Sequence, residues 1–122
     1  MIHRSADLAQ SKGWYLVPSD SDVPVPVGYA SQGIQDVGGA HYHAQMYEIY
    51  LVARGESTAV VDDKAVVLKA GDVLAVAPGE THRFLVCSAD YFHFVVQAPF
   101  VPGDKYGVKG NEEMDVGDAG AI

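Results

Sequence analysis

The sequence is poor in three things, and each shortage narrows what the chain can be. It has one cysteine, Cys87, so no intrachain disulfide can form and a reducing compartment is expected. Set in an apolar strand, that thiol reads as a small buried hydrophobe rather than a nucleophile. Cations are scarce: 8 lysines and arginines stand against 16 aspartates and glutamates, for a formal net charge of -8. Nucleic-acid binding needs a basic footprint, and anionic membrane surfaces need the same, so neither partner is expected. Long apolar runs are missing as well. Nothing approaches the roughly 20 residues that span a bilayer, and Met1 to Trp14 carries no apolar core of a secretory signal. A cytoplasmic protein is the expectation.

What the sequence does have is a core. Hydrophobic residues make up 48% and charged residues 20% of 122, the balance of one globular domain rather than a disordered chain. Residues 1–102 are expected to form that domain. Residues 103–122, rich in glycine and acid, read as a C-terminal tail, either disordered or laid across a neighbour.

Along the chain, Ser5 to Gly13 offers at most one helical turn. Trp14 to Val17 is a short aromatic and β-branched strand stopped by Pro18. In Val23-Pro24-Val25-Pro26-Val27 each proline removes a ladder donor, which assigns the segment to a sheet edge. Tyr29 to Val37 reads as a strand and Gly38-Gly39 as a turn. From His41 to Phe100 short β-prone runs alternate with turn residues: Glu48 to Ala53, Ser57 to Val61, Ala65 to Leu68, Val73 to Val76, His82 to Cys87 and Tyr91 to Gln97. Strands this short and evenly spaced predict an antiparallel sandwich or barrel. Many are apolar on both faces, which calls for burial inside a barrel or against a partner subunit.

Chemistry gathers at His41-Tyr42-His43. Residues two apart on a strand share a face, so His41 and His43 can direct two imidazoles at one point. Glu48 adds a carboxylate, and His82, behind the turn Ala77-Pro78-Gly79, adds a third imidazole. Three nitrogens and one carboxylate suit a divalent transition metal. Alternation puts Tyr50 and Val52 on the Glu48 face, so Tyr50 can offer its hydroxyl to the site, while Ile49, Leu51 and Ala53 face outward. His93 is a candidate contact from the last strand, and Gln97 a weaker one.

These residues resemble the motifs of the cupin superfamily. In the first motif, His41-x-His43, four residues, Glu48, six residues and Gly55 fit, while Gln35 stands at the opening glycine position. In the second, Gly71, five residues, Ala77-Pro78-Gly79, two residues and His82 fit, with Ala77 in place of a proline and Val86 in place of an asparagine. The resemblance spans residues 38–99. It implies an all-β fold, the conical antiparallel β-barrel or double-stranded β-helix of jelly-roll type, commonly paired as a homodimer. It also implies His41, His43, Glu48 and His82 as metal ligands, and the strand positions of Tyr50 and His93 make those two the candidate catalytic groups.

Four protein ligands leave up to two open positions on octahedral Fe(II), Mn(II) or Ni(II). Zn(II) fits too but prefers four-coordination. The expected function is metal-centred, oxygenase-type chemistry on a small organic molecule. The competing readings are a metal-dependent isomerase or lyase, and a non-catalytic small-molecule sensor.

Overall fold

The computed structural model describes residues 1–31 and 39–108, which form ten strands and no helix. The strands are β1 (Lys12–Leu16), β2 (Val27–Ser31), β3 (His41–Tyr42), β4 (Tyr47–Arg54), β5 (Glu56–Val61), β6 (Lys64–Lys69), β7 (Val73–Val76), β8 (His82–Cys87), β9 (Phe92–Ala98) and β10 (Tyr106–Gly107). They assemble into two antiparallel five-stranded sheets, ordered β1-β2-β9-β4-β7 and β10-β3-β8-β5-β6. The architecture is the all-β barrel that the spacing of turns predicts. No described helix is long and apolar enough to cross a membrane.

Alternation organises the interior. On β4 the side chains of Glu48, Tyr50 and Val52 are buried while Leu51 and Ala53 are exposed, and on β9 His93, Val95 and Gln97 are buried. Register aligns the two strands, with Glu48 opposite Gln97, Tyr50 opposite Val95 and Val52 opposite His93. Two apolar clusters fill the space between the sheets. Tyr50, Val76 and Val95 form one, and Val52, Ala59, Leu68 and Tyr91 form the other, with Leu74 and Phe84 packed against both. Cys87 is half-buried near the second cluster. Burial pushes its thiol pKa up against a contact to Ser57, in keeping with an unreactive side chain.

The β4–β5 corner needs Gly55. Its φ is +74°, and a Cβ there would lie 2.5 Å from Ser88 Oγ and 2.7 Å from the backbone of Tyr91. Only glycine lets this corner pack against the β8–β9 turn.

Several expectations need correcting. The proline segment is not an edge strand: Pro24 and Pro26 lie in the loop before β2, and β2 is hydrogen-bonded on both sides, to β1 and β9. Val27 onward carries every amide donor, so the interior position is open to it. The tail boundary at 102 also falls inside the fold, because Asp104 and Lys105 are buried and β10 pairs with β3. Of the two expected covers for the apolar faces, the barrel alone does not supply both, since Val67, Val73, Leu85 and Val86 are exposed in one chain. The strand expected over Tyr29 to Val37 is found only as far as Ser31; its remainder, with Gln35 and Gly38, lies outside the described residues, as do residues 109–122.

Candidate metal centre

Three strands meet at the ligand cluster. His41 lies on β3, His43 just beyond it, Glu48 on β4 and His82 at the start of β8. Pairing of His41 directly opposite His82 sets the two rings side by side, with centroids 4.3 Å apart. The opposing sheet supplies Glu48. One ligand atom from each of the four residues lies within 4.8 Å of the others. His43, Glu48 and His82 are buried, and His41 is partly exposed.

The hydrogen bonds fix how each imidazole is presented. His43 Nδ1 lies 2.6 Å from the carbonyl of Asp104, and His82 Nδ1 lies 3.1 Å from the carbonyl of Glu80. A carbonyl only accepts, so both Nδ1 atoms carry the hydrogen and both Nε2 atoms keep their lone pair when the rings are neutral. Those Nε2 atoms stand 3.0 and 2.8 Å from the same oxygen, Glu48 Oε1. His41 Nε2 is buried without a hydrogen-bond partner among the described residues. Lone pairs and an anionic oxygen thus converge on one point, and a cation is what relieves them.

Electrostatics agrees. Burial would raise the pKa of Glu48, but the close contacts and charges of His43 and His82 hold it well below the usual carboxylate range. Burial would lower the pKa of His43, but the contact and charge of Glu48 and the Asp104 carbonyl carry it upward. For His41, burial, helped by His82 and Lys105 against Glu48, pushes the pKa down to about 2. A proton therefore does not serve His41 at neutral pH. A divalent metal serves all three imidazoles at once, and neutral nitrogens with one carboxylate are a fitting donor set for it.

Around this cluster the carboxylate is held from two sides. Tyr50 donates its hydroxyl to Glu48 Oε1 at 2.7 Å, and Gln97 Nε2 donates to Oε2 at 3.0 Å. Burial raises the Tyr50 pKa well above its ordinary value, and Glu48 adds to the rise, so the phenol keeps its proton. His93 packs deeper. Its Nδ1 bonds the hydroxyl of Tyr91 at 2.6 Å, and its ring lies against Tyr50 and Phe84. The turn before His82 is tied to the first limb by Gly79, at φ +86°, whose amide donates to the His43 carbonyl at 2.7 Å.

Two residues at the site have no counterpart in the sequence-level expectations: Asp104, buried against residues 43–46, and Lys105, whose charge acts on His41 and His43. The turn Pro102-Gly103 followed by the alternation of Tyr106 and Val108 is the signal of a further strand.

Comparisons with known proteins agree with this geometry. A cupin-domain family model matches residues 32–96. No curated protein sequence matches. Among solved structures, a Streptomyces Pac13 variant with uridine aligns at a TM-score of 0.64 and 20% identity, over 80% of this chain and 77% of that one. Pac13 is described as a nucleoside dehydratase. KdgF from Halomonas aligns at 0.62 and 15% identity, over 74% of this chain and 78% of its own. A cupin 2 conserved barrel domain protein from Salinispora arenicola aligns at 0.61 and 19% identity, over 80% and 87%. At these identities the likeness is one of fold. With the family model matching over half of the sequence, and with the barrel and the His41, His43, Glu48 and His82 cluster in place, the chain belongs to the cupin superfamily.

Proposed function

We propose that this protein is a metal-dependent cupin acting on a small organic molecule. In this reading it holds one divalent first-row metal through His41, His43, Glu48 and His82. The observation that carries the reading is the convergence of three imidazoles on the Glu48 carboxylate, with His41 Nε2 buried and lacking a hydrogen-bond partner among the described residues and His43 Nε2 and His82 Nε2 3.0 and 2.8 Å from Glu48 Oε1. A metal bound there supplies a Lewis-acidic centre and, for iron, a redox-active one.

The protein's own residues do the rest. Tyr50 and Gln97 hold the Glu48 carboxylate in one orientation, and Val76, Val95 and Phe84 keep the space behind it dry. His41 is the partly exposed ligand, so substrate approach from its side is part of the proposal. No described group beside the ligands is free to act as a general base: Glu48 is committed to its partners, and Tyr50 stays protonated. That favours chemistry centred on the metal, which we assign as oxygenase-type with Fe(II). His93, behind Tyr50, supports that ring rather than meeting substrate.

A second reading, metal-assisted elimination or isomerisation with Mn(II) or Ni(II), gains support from the shared fold of a dehydratase. Anaerobic Fe(II) loading followed by oxygen uptake across a substrate panel is expected to give turnover. Turnover with Mn(II) or Ni(II) and no oxygen uptake would favour elimination or isomerisation. Tight binding of a small molecule without turnover under any metal would mark a sensor.

Homodimerisation belongs to the same proposal. Val73, Leu51 and Phe94 are cross-strand neighbours on the outer face, 61%, 38% and 37% exposed, and a contiguous apolar row of this kind favours a partner. A dimer mass in light scattering is the expected result.

A further inference from the structure

The first ligand limb is held by a segment that lies outside both metal-bearing motifs. Residues 104–108 run antiparallel along residues 40–46. Val108 donates its amide to the Ala40 carbonyl at 3.1 Å, Gly107 stands opposite His41, and Tyr106 stands opposite Tyr42 with the two rings stacked. At the end of this lacing lies Asp104, 3% exposed. Its Oδ1 accepts from the Ala44 amide at 2.7 Å, and its Oδ2 accepts from the amides of Gln45 and Met46 at 2.8 and 2.9 Å. Its own carbonyl accepts from His43 Nδ1 at 2.6 Å.

We propose that Asp104 is the positioning residue of the metal centre, its carboxylate cradled by three successive amides so that its carbonyl sets the tautomer and aim of His43. The inference rests on the metal reading above for its consequence, though not for its geometry. Bonds from amides to a carboxylate are charge-assisted and stronger than neutral ones, and β3 is only two residues long, so the ladder alone gives the loop after it little rigidity. The side chain supplies the missing restraint. The carbonyl, fixed in turn, keeps the hydrogen on Nδ1 and leaves the Nε2 lone pair facing Glu48 and the other imidazoles. Partners of this kind commonly govern metal affinity by one to two orders of magnitude.

The test uses the full chain and two readouts. Competition with a chelator for Co(II) is expected to give a dissociation constant about 10- to 100-fold weaker in Asp104→Ala. Asp104→Asn, which keeps the shape and one acceptor oxygen, should lose less. Leu68→Val, a core substitution away from the ligands, is the control for general destabilisation and should retain wild-type affinity. The second readout needs no metal. Imidazole nitrogen NMR of the metal-free protein should find His43 as a single Nδ1–H tautomer in the wild type and as a mixture in Asp104→Ala, the signal being assigned by its loss in His43→Ala. Co(II) affinity in Asp104→Ala within about twofold of wild type would overturn the proposal, as would an equal loss in Leu68→Val. A wild type that binds no Co(II) would defeat the metal reading, and the tautomer would then decide Asp104 alone: an unchanged Nδ1–H form in Asp104→Ala overturns it.

Discussion

The two limbs of the cluster are held in different ways. Glu48 sits in β4, eight residues long and paired on both sides, and is fully buried. Its position follows from sheet register, and its carboxylate is gripped by Tyr50 and Gln97 from the same two strands. His41 and His43 sit on and just beyond β3, two residues long, and the loop that carries His43 is tied to Asp104, some sixty residues away. Glu48 is positioned by regular secondary structure, His43 by side-chain lacing. Substitutions on the Glu48 limb should therefore tell on folding, and those on the His43 limb on metal binding.

The largest effect expected is on the Glu48 limb. Glu48→Ala strips the acceptor from two buried donors and leaves the imidazoles around an empty space. Removing one partner of a buried, paired charge costs about 3–5 kcal/mol, so urea unfolding of the metal-free protein should find a loss of that order. His43→Ala, measured the same way, should lose clearly less stability while losing its metal. Comparable stability losses in the two variants would erase the distinction between the limbs.

Tyr50→Phe sharpens it. The ring stays in the core and only the hydroxyl on Glu48 goes. Hydrogen bonds to charged groups contribute about 1.5–3 kcal/mol, and a loss within that range, with weaker metal binding, is expected from unfolding and chelator titrations. Unchanged affinity would mean that Gln97 alone orients the carboxylate.

How much of this was legible in the sequence differs between the limbs for the same reason. Alternation along β4 assigns Glu48, Tyr50 and Val52 inward, and the spacing of ligands from Gly55, Gly71 and Gly79 brings His41, His43 and His82 to one cluster; both are local regularities. Asp104 makes its contacts at a sequence separation of about sixty and sits in a stretch whose composition resembles a tail, so the short strand signal beside it does not reveal its partners. The depth of His93 was hidden similarly. Its inward face follows from alternation, but its partner Tyr91 precedes β9, and only the packed structure brings the phenol to the ring. Composition alone does not say whether the outer apolar residues are covered by the barrel or by a partner subunit; within one chain they are exposed.

The smallest effect concerns that deep histidine. Burial, opposed by Glu48, lowers the His93 pKa from 6.5 to about 4. Between those values the unfolded chain takes up a proton that the folded chain refuses, so His93 withdraws stability as pH falls from 6.5 toward 4. In metal-free protein the slope of stability against pH over that window should be shallower in His93→Gln than in wild type, by up to about 1.4 kcal/mol per pH unit. Identical slopes would mean that His93 is protonated in the fold.

The most direct test of the central claim is elemental analysis of the purified protein by inductively coupled plasma mass spectrometry, for wild type and for His43→Ala. The account predicts near one equivalent of a first-row divalent metal per wild-type chain, and its loss from His43→Ala with the β-sheet circular dichroism retained. A wild type without metal even after loading with Fe(II), Mn(II), Ni(II) and Zn(II), or a His43→Ala variant that keeps its full complement, would contradict it.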